Sequence, residues 1–136
     1  VTEPLRLGDG WLLRSHGMPV PLAGWCILEL ERPAATLDAL APDEAAAMGR
    51  LVQRVSAAIR AVTACDRVYL LAFAEVRRQV HLHLVPRHGG DPLTDGWAVA
   101  DHYRCVQRGE RAGPTAAESE KAFAGVAKAL GLSPRP

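Results

Sequence analysis

Cysteine is scarce in this chain. The three present, Cys26, Cys65 and Cys105, are odd in number, far apart and in no C-x-x-C pair. That argues against both a disulfide framework and a cysteine-built zinc site. Buried free thiols in a reducing compartment are the expectation. A charge excess is also missing, since 16 Lys+Arg face 15 Asp+Glu for a net charge of +1. Bulk electrostatics therefore give no reason to expect a nucleic-acid polymer or an anionic membrane as partner, although a local basic patch is compatible with this balance. No apolar run approaches the ~18 residues of a membrane span. The N-terminus has no basic stretch leading into an apolar run. A cytoplasmic protein without a membrane partner is expected. Internal repeats are absent, and alanine-rich helices are the nearest thing to low complexity.

With 136 residues, 49% hydrophobic and 23% charged, the chain has the length and composition of a single globular domain spanning 1–136 with its own core. The best-marked element is "PDEAAAMGRLVQRVSAAIRAVT", residues 42–63. Met48, Leu51, Val52, Val55, Ile59 and Val62 recur there at helical spacing. Pro42 suits a first turn, and Asp43 and Glu44 sit where the helix dipole favours carboxylates. A second helix is expected over about 115–130, opened by a Thr115/Glu118 capping box and stopped by Gly131. Strands are expected at about 11–15, 25–31, 67–74 and 79–86, with the last two joined as a tight antiparallel hairpin through Glu75–Arg78. Residues 34–41 have room for a helical turn. Strands that do not alternate strictly with helices point to an α+β fold with an antiparallel sheet. Residues 88–113 form either a functional loop or an unrecognised element.

The stretch "QVHLHLVPR", residues 79–87, places two of only five histidines on one apparent strand. Alternate strand positions share a face, about 6.6–7 Å apart. Gln79, His81 and His83 are thus expected to line one surface while Val80, Leu82 and Leu84 enter the core. Three readings follow. The pair is structural, or it ligates a metal, or it performs phosphoryl chemistry. A metal needs three or four donors, and the next residues add only His88 and Asp91, so no metal and no cofactor are expected. For phosphoryl chemistry, a neutral imidazole is a good nucleophile toward phosphorus. A second imidazole two positions along can hydrogen-bond a phosphate oxygen as its charge grows.

The same stretch resembles the signature of the histidine-triad (HIT) family, His-φ-His-φ-His-φ-φ with φ apolar, often followed by Pro-Arg. Upstream, "PLAGWCILELERPAATLDALAPDEAAAMGRLVQRV" (residues 21–55) is similar to that family's strand–loop–helix run. The likeness covers about residues 11–87. It implies a HIT-like α+β fold with an antiparallel sheet of about five strands, one long central helix and a C-terminal helix, assembled as a homodimer. It also implies a nucleotide hydrolase or nucleotidyl transferase that attacks an α-phosphorus with the middle histidine, with no metal as a fixed part. Register carries that nucleophile onto His81 and the third histidine onto His83. The first falls on Gln79, whose backbone carbonyl is expected to hold the far N–H of His81. Gln79 and His83 are the expected substrate-side partners.

Two departures accompany the resemblance. Trp25 follows Gly24 where many members have histidine, and Glu75, Val76, Arg77 and Arg78 stand where phosphate-contacting residues are usual. Arg77 or Arg78 has the charge to meet a phosphate, although arginines in a turn are usually solvated. Trp11 and Leu13 are expected in the core. Arg14, His16, Arg87 and His88 lie near the expected site without a definite role. The alternative to an enzyme is a non-catalytic nucleotide-binding or regulatory module on the same fold.

Overall fold

Strand alternation sorts the sheet's side chains onto two faces, and helices cover each face differently. The computed structural model describes residues 3–132. Five strands, β1 (Leu5–Gly8), β2 (Trp11–Ser15), β3 (Cys26–Leu30), β4 (Arg67–Leu71) and β5 (His81–Arg87), form one antiparallel sheet in the order β1-β2-β3-β5-β4. Three helices accompany it: α1 (Pro42–Thr63), α2 (Trp97–Gln107) and α3 (Ala116–Ala129). The class is the α+β arrangement the sequence implies. A 3₁₀ turn at Leu37–Ala39 occupies the linker before α1.

One face carries Trp11, Leu13, Cys26, Leu28, Leu30, Leu82 and Leu84 into a core with Leu51, Val55 and Ile59 of α1 and Phe123 and Val126 of α3. Val80 joins them. The helix stripe therefore buries as its periodicity requires, with Val62 at its edge 36% exposed. The expected capping box of α3 forms, and at α1 only the reciprocal Glu44 bond is present. Thr115 Oγ1 accepts from Glu118 N–H, and the Glu118 and Glu44 carboxylates accept from the N–H groups of Thr115 and Ala41. Cys26 is fully buried, and burial pushes its thiol up to about 12. Cys65 is also buried, and all three cysteines are free.

The opposite face holds a smaller cluster of Val20, Trp25, Ile27, Val85 and Val99, with Tyr69, Leu71 and Tyr103 packed against it. Helix α2 supplies Val99 and Tyr103, so it covers the end of β5 where Val85 lies. The beginning of β5, with His81 and His83, remains half-buried.

Two expectations are corrected, the tight hairpin and the place of Gln79 on the histidine strand. The tight hairpin is absent, because β4 stops at Leu71 and β5 starts at His81. Residues 79–80 turn away from β4 toward the far end of β3, where Val80 N–H donates to Ala34 O (2.8 Å) and Leu30 N–H donates to Val80 O (3.1 Å). Gln79 consequently lies outside the strand. The stretch 88–113 contains a whole helix, α2, whose apolar stripe of Val99, Val106 and Tyr103 is short and interrupted by charge. Strand β1 was not marked by residue pattern, being four residues long with half of them exposed. Among the described residues no helix is long and apolar enough to cross a membrane.

Candidate active site

His81 and His83 project from β5 onto the face only partly covered by α2. His81 pairs across the ladder with Glu29 of β3, and His83 with Ile27 of β3 and Leu71 of β4. His81 Nδ1 lies 2.6 Å from Gln79 O. A carbonyl only accepts, so Nδ1 carries the proton and Nε2 keeps its lone pair. The ring borders a cavity of about 240 Å³ whose other walls include Ala35, Leu37, Ala72, Phe73 and Ala74.

Gln79 holds His81 by its main chain, while its side chain serves the scaffold. Nε2 donates to Leu30 O and Arg32 O, each at 2.8 Å, and Oε1 accepts from Ala34 N–H at 3.1 Å. Both amide hydrogens are thereby committed to the segment leaving β3. Gln79→Leu is expected to lower stability by about 1–3 kcal/mol, because three backbone groups lose a partner. Urea unfolding measures this; a change under about 0.5 kcal/mol would mean the amide is not a clamp.

His83 is fixed from the other side. Trp25 Nε1–H donates to His83 Nδ1 at 2.9 Å. An indole N–H only donates, so His83 Nδ1 is unprotonated and its proton sits on Nε2. Burial, then the neighbouring His81, His16 and Arg14, push the His83 pKa down to about 4. The ring is neutral near pH 7. Because its folded pKa lies below the ordinary 6.5, the unfolded chain binds more protons between these values. Stability from this group is complete above about pH 6.5 and falls progressively toward pH 4. Gly24 makes the placement of Trp25 possible. Its φ is +88°, and a Cβ there would meet Thr63 Cγ2 at 2.5 Å.

The rings of His16, Trp25, Tyr103, His83 and His81 form a continuous cluster, with centroids 5.2–5.9 Å apart along His81–His83–His16 and 5.5 Å between Tyr103 and both His16 and Trp25. His16 Nδ1 lies 2.6 Å from Gly17 O, and burial is the main cause lowering its pKa.

Beside His81 stands a charged group that sequence reasoning missed. Glu29 is 6% exposed. Arg77 Nη1 approaches its Oε1 at 2.5 Å and Arg14 Nε its Oε2 at 3.7 Å. A lone carboxylate in the otherwise apolar strand CILEL was the available signal. Arg77 is therefore ion-paired with Glu29 while its side chain stays largely exposed.

The remaining candidates are structural. Trp11 and Leu13 are fully buried on the α1 side. Arg87 donates to His88 O and, at 3.1 Å, to the buried Thr94 Oγ1, tying down the loop after β5. His102, unassigned from sequence, is buried, with Nε2 2.9 Å from Pro21 O and Nδ1 3.1 Å from Arg111 Nη1. Among the described residues no three His, Cys, Asp or Glu side chains are grouped to hold a metal ion.

An antiparallel five-stranded sheet, a long helix behind it and alternating histidines on the strand before its edge define a HIT-like fold. Solved structures share it. A histidine triad protein from Sinorhizobium meliloti 1021 matches with a TM-score of 0.68 at 22% identity, covering 92% of this chain and 87% of that one. A hypothetical histidine triad nucleotide-binding protein from Sulfolobus tokodaii strain7 gives 0.70 at 14% identity, covering 94% and 83%. A Zn-bound histidine triad family protein from Mycobacterium smegmatis gives 0.68 at 20% identity, also covering 94% and 83%. At such identities the likeness is one of fold. No family model matches the sequence, and no curated protein matches it.

Proposed function

We propose that this chain is a nucleotide hydrolase or nucleotidyl transferase that acts at an α-phosphorus through a nucleotidyl intermediate on His81. The observation that carries this reading is the 2.6 Å contact between His81 Nδ1 and Gln79 O, which leaves Nε2 as the nucleophilic nitrogen of a ring bordering a cavity. In the mechanism Nε2 attacks phosphorus, the leaving group departs, and water or another acceptor then takes the nucleotidyl group. His83 donates its Nε2–H to a phosphate oxygen as charge develops. Gln79 occupies the first triad position and keeps that position's carbonyl. The neighbour described as nucleotide-binding supports the ligand class. A homodimer in the cytoplasm belongs to the same proposal by family resemblance.

The rival reading, a nucleotide-binding module without turnover, is favoured by one observation. Gln79 supplies no charge, and its amide is spent on the backbone. The two separate on incubation with a dinucleoside polyphosphate, followed by a quench that preserves P–N bonds and mass analysis of the peptide containing His81. A nucleoside monophosphate adduct on that peptide is expected. No adduct and no released product, with measurable AMP binding, would establish the module instead.

A further inference from the structure

Building on the proposed reaction, we infer that the site is made for phosphoanhydrides, whose leaving group departs as a phosphate anion, and not for phosphoramidates, whose leaving amine requires a proton. The observation is that, among the described residues, the side chains nearest His81 are engaged elsewhere and none is placed to supply one. Both hydrogens of the Gln79 amide are committed to Leu30 O and Arg32 O. Glu29 lies against the guanidiniums of Arg77 and Arg14, at 2.5 and 3.7 Å, and a carboxylate paired with guanidiniums accepts rather than donates.

His83 is held as a neutral donor. To become an acid it must take a proton on Nδ1, where the Trp25 N–H already points. Protonation would set two N–H groups against each other and leave the indole, 3% exposed, without an acceptor. The groups facing His83 add to this. His81 lies on its own strand, Arg14 on β2, His16 just beyond β2, and the Tyr103 ring comes from α2. The carboxylate of this face, Glu29 on β3, is paired with Arg14 and Arg77 rather than with His83, and burial and the neighbouring His81, His16 and Arg14 depress the His83 pKa to about 4. His16 is likewise held below its ordinary value.

The electron count then separates the substrates. With an anhydride, the His81 Nε2 lone pair forms the N–P bond and the P–O bond breaks. Its electron pair leaves on the phosphate oxygen, which is stable as an anion in water. The Nδ1 proton stays against Gln79 O. Water then attacks phosphorus, the N–P pair returns to Nε2, and the water proton passes to solvent. With an amidate, the P–N pair would leave on nitrogen as an amide anion unless a proton reaches it. Arg77 also favours the first course. Its guanidinium is anchored on Glu29, the ladder partner of His81, with the side chain 58% exposed to meet an anion.

The test uses two substrates with the same nucleotidyl group, a dinucleoside polyphosphate and a nucleoside phosphoramidate, each scored as kcat/KM over its own uncatalysed rate. The anhydride enhancement is expected to exceed the amidate enhancement by about 100-fold or more, the value of a missing general acid. Trp25→Phe keeps the ring and removes the donor. It frees His83 Nδ1 to take a proton, which should raise the His83 pKa while burial and the charged neighbours still hold it down, and increase amidate turnover at pH 6 relative to anhydride turnover. Nitrogen NMR of the unmodified protein gives a readout independent of turnover, with His83 Nδ1 as a bare nitrogen and Nε2 as N–H from pH 8 to 5. Equal or better amidate enhancement, or a proton on His83 Nδ1, would overturn this inference and leave the nucleotidyl-His81 reading intact. Failure to turn over either substrate would remove both.

Discussion

His81→Ala is expected to abolish nucleotidyl transfer, lowering kcat by about four orders of magnitude or more, the scale seen when a covalent nucleophile is removed. Neither His83 nor Glu29, the groups beside it, can replace it. His83 carries its proton on Nε2 and has its only bare nitrogen capped by Trp25. Glu29 is engaged by guanidiniums. The fold should tolerate the change, because the His81 ring is half-buried and borders a cavity rather than filling the core. His81→Asn serves as a control, since its amide can still donate to Gln79 O but has no lone pair suited to forming a P–N bond. Steady-state assay with a dinucleoside polyphosphate decides the matter. More than about 1% residual activity in a folded His81→Ala protein would place the nucleophile elsewhere.

Leu84→Ala is expected to do the opposite, leaving a competent site on an unstable scaffold. Leu84 is fully buried, faces the helix side and pairs with Cys26 of β3 and Leu70 of β4. Truncating it opens a cavity under the strand that carries both histidines, at a cost of about 2–5 kcal/mol. Against the roughly 5–15 kcal/mol of an ordinary domain, that is a large fraction. The thermal midpoint should fall by roughly 6–25 °C for a chain of this size. Activity per folded molecule at 20 °C should persist. A loss below about 1 kcal/mol would show that the core can collapse around the missing side chain. The two variants separate the chemistry of β5 from its packing, although His83 and Leu84 are adjacent.

Most of the scaffold was legible because its signals are local. The stripe from Leu51 to Ile59 buries against the sheet as its spacing demands. Thr115 and Glu118 cap α3 as their separation of three residues requires. Helix α2 escaped notice because its N-cap is Gly96, with no side-chain cap, and its apolar positions are few. The hairpin before β5 was misjudged for a different reason. Residues 79–80 had a better partner in 30–34, nearly fifty residues away, than in the neighbouring strand.

Period-two alternation along residues 80–85 by itself determined that His81 and His83 share one face of the sheet while Val80, Leu82 and Leu84 enter the core. That follows from strand geometry, whatever the rest of the chain does. Only the tertiary structure decided what each imidazole is allowed to do. The carbonyl behind His81 is local, but it acts only because Gln79 is clamped to β3. The indole on His83 comes from 58 residues away. Glu29 and its two arginines meet through three separate segments. Tautomer, charge and proton supply depend on contacts of a few ångströms between distant parts of the chain, and such contacts are set by sheet register and loop path rather than by residue spacing.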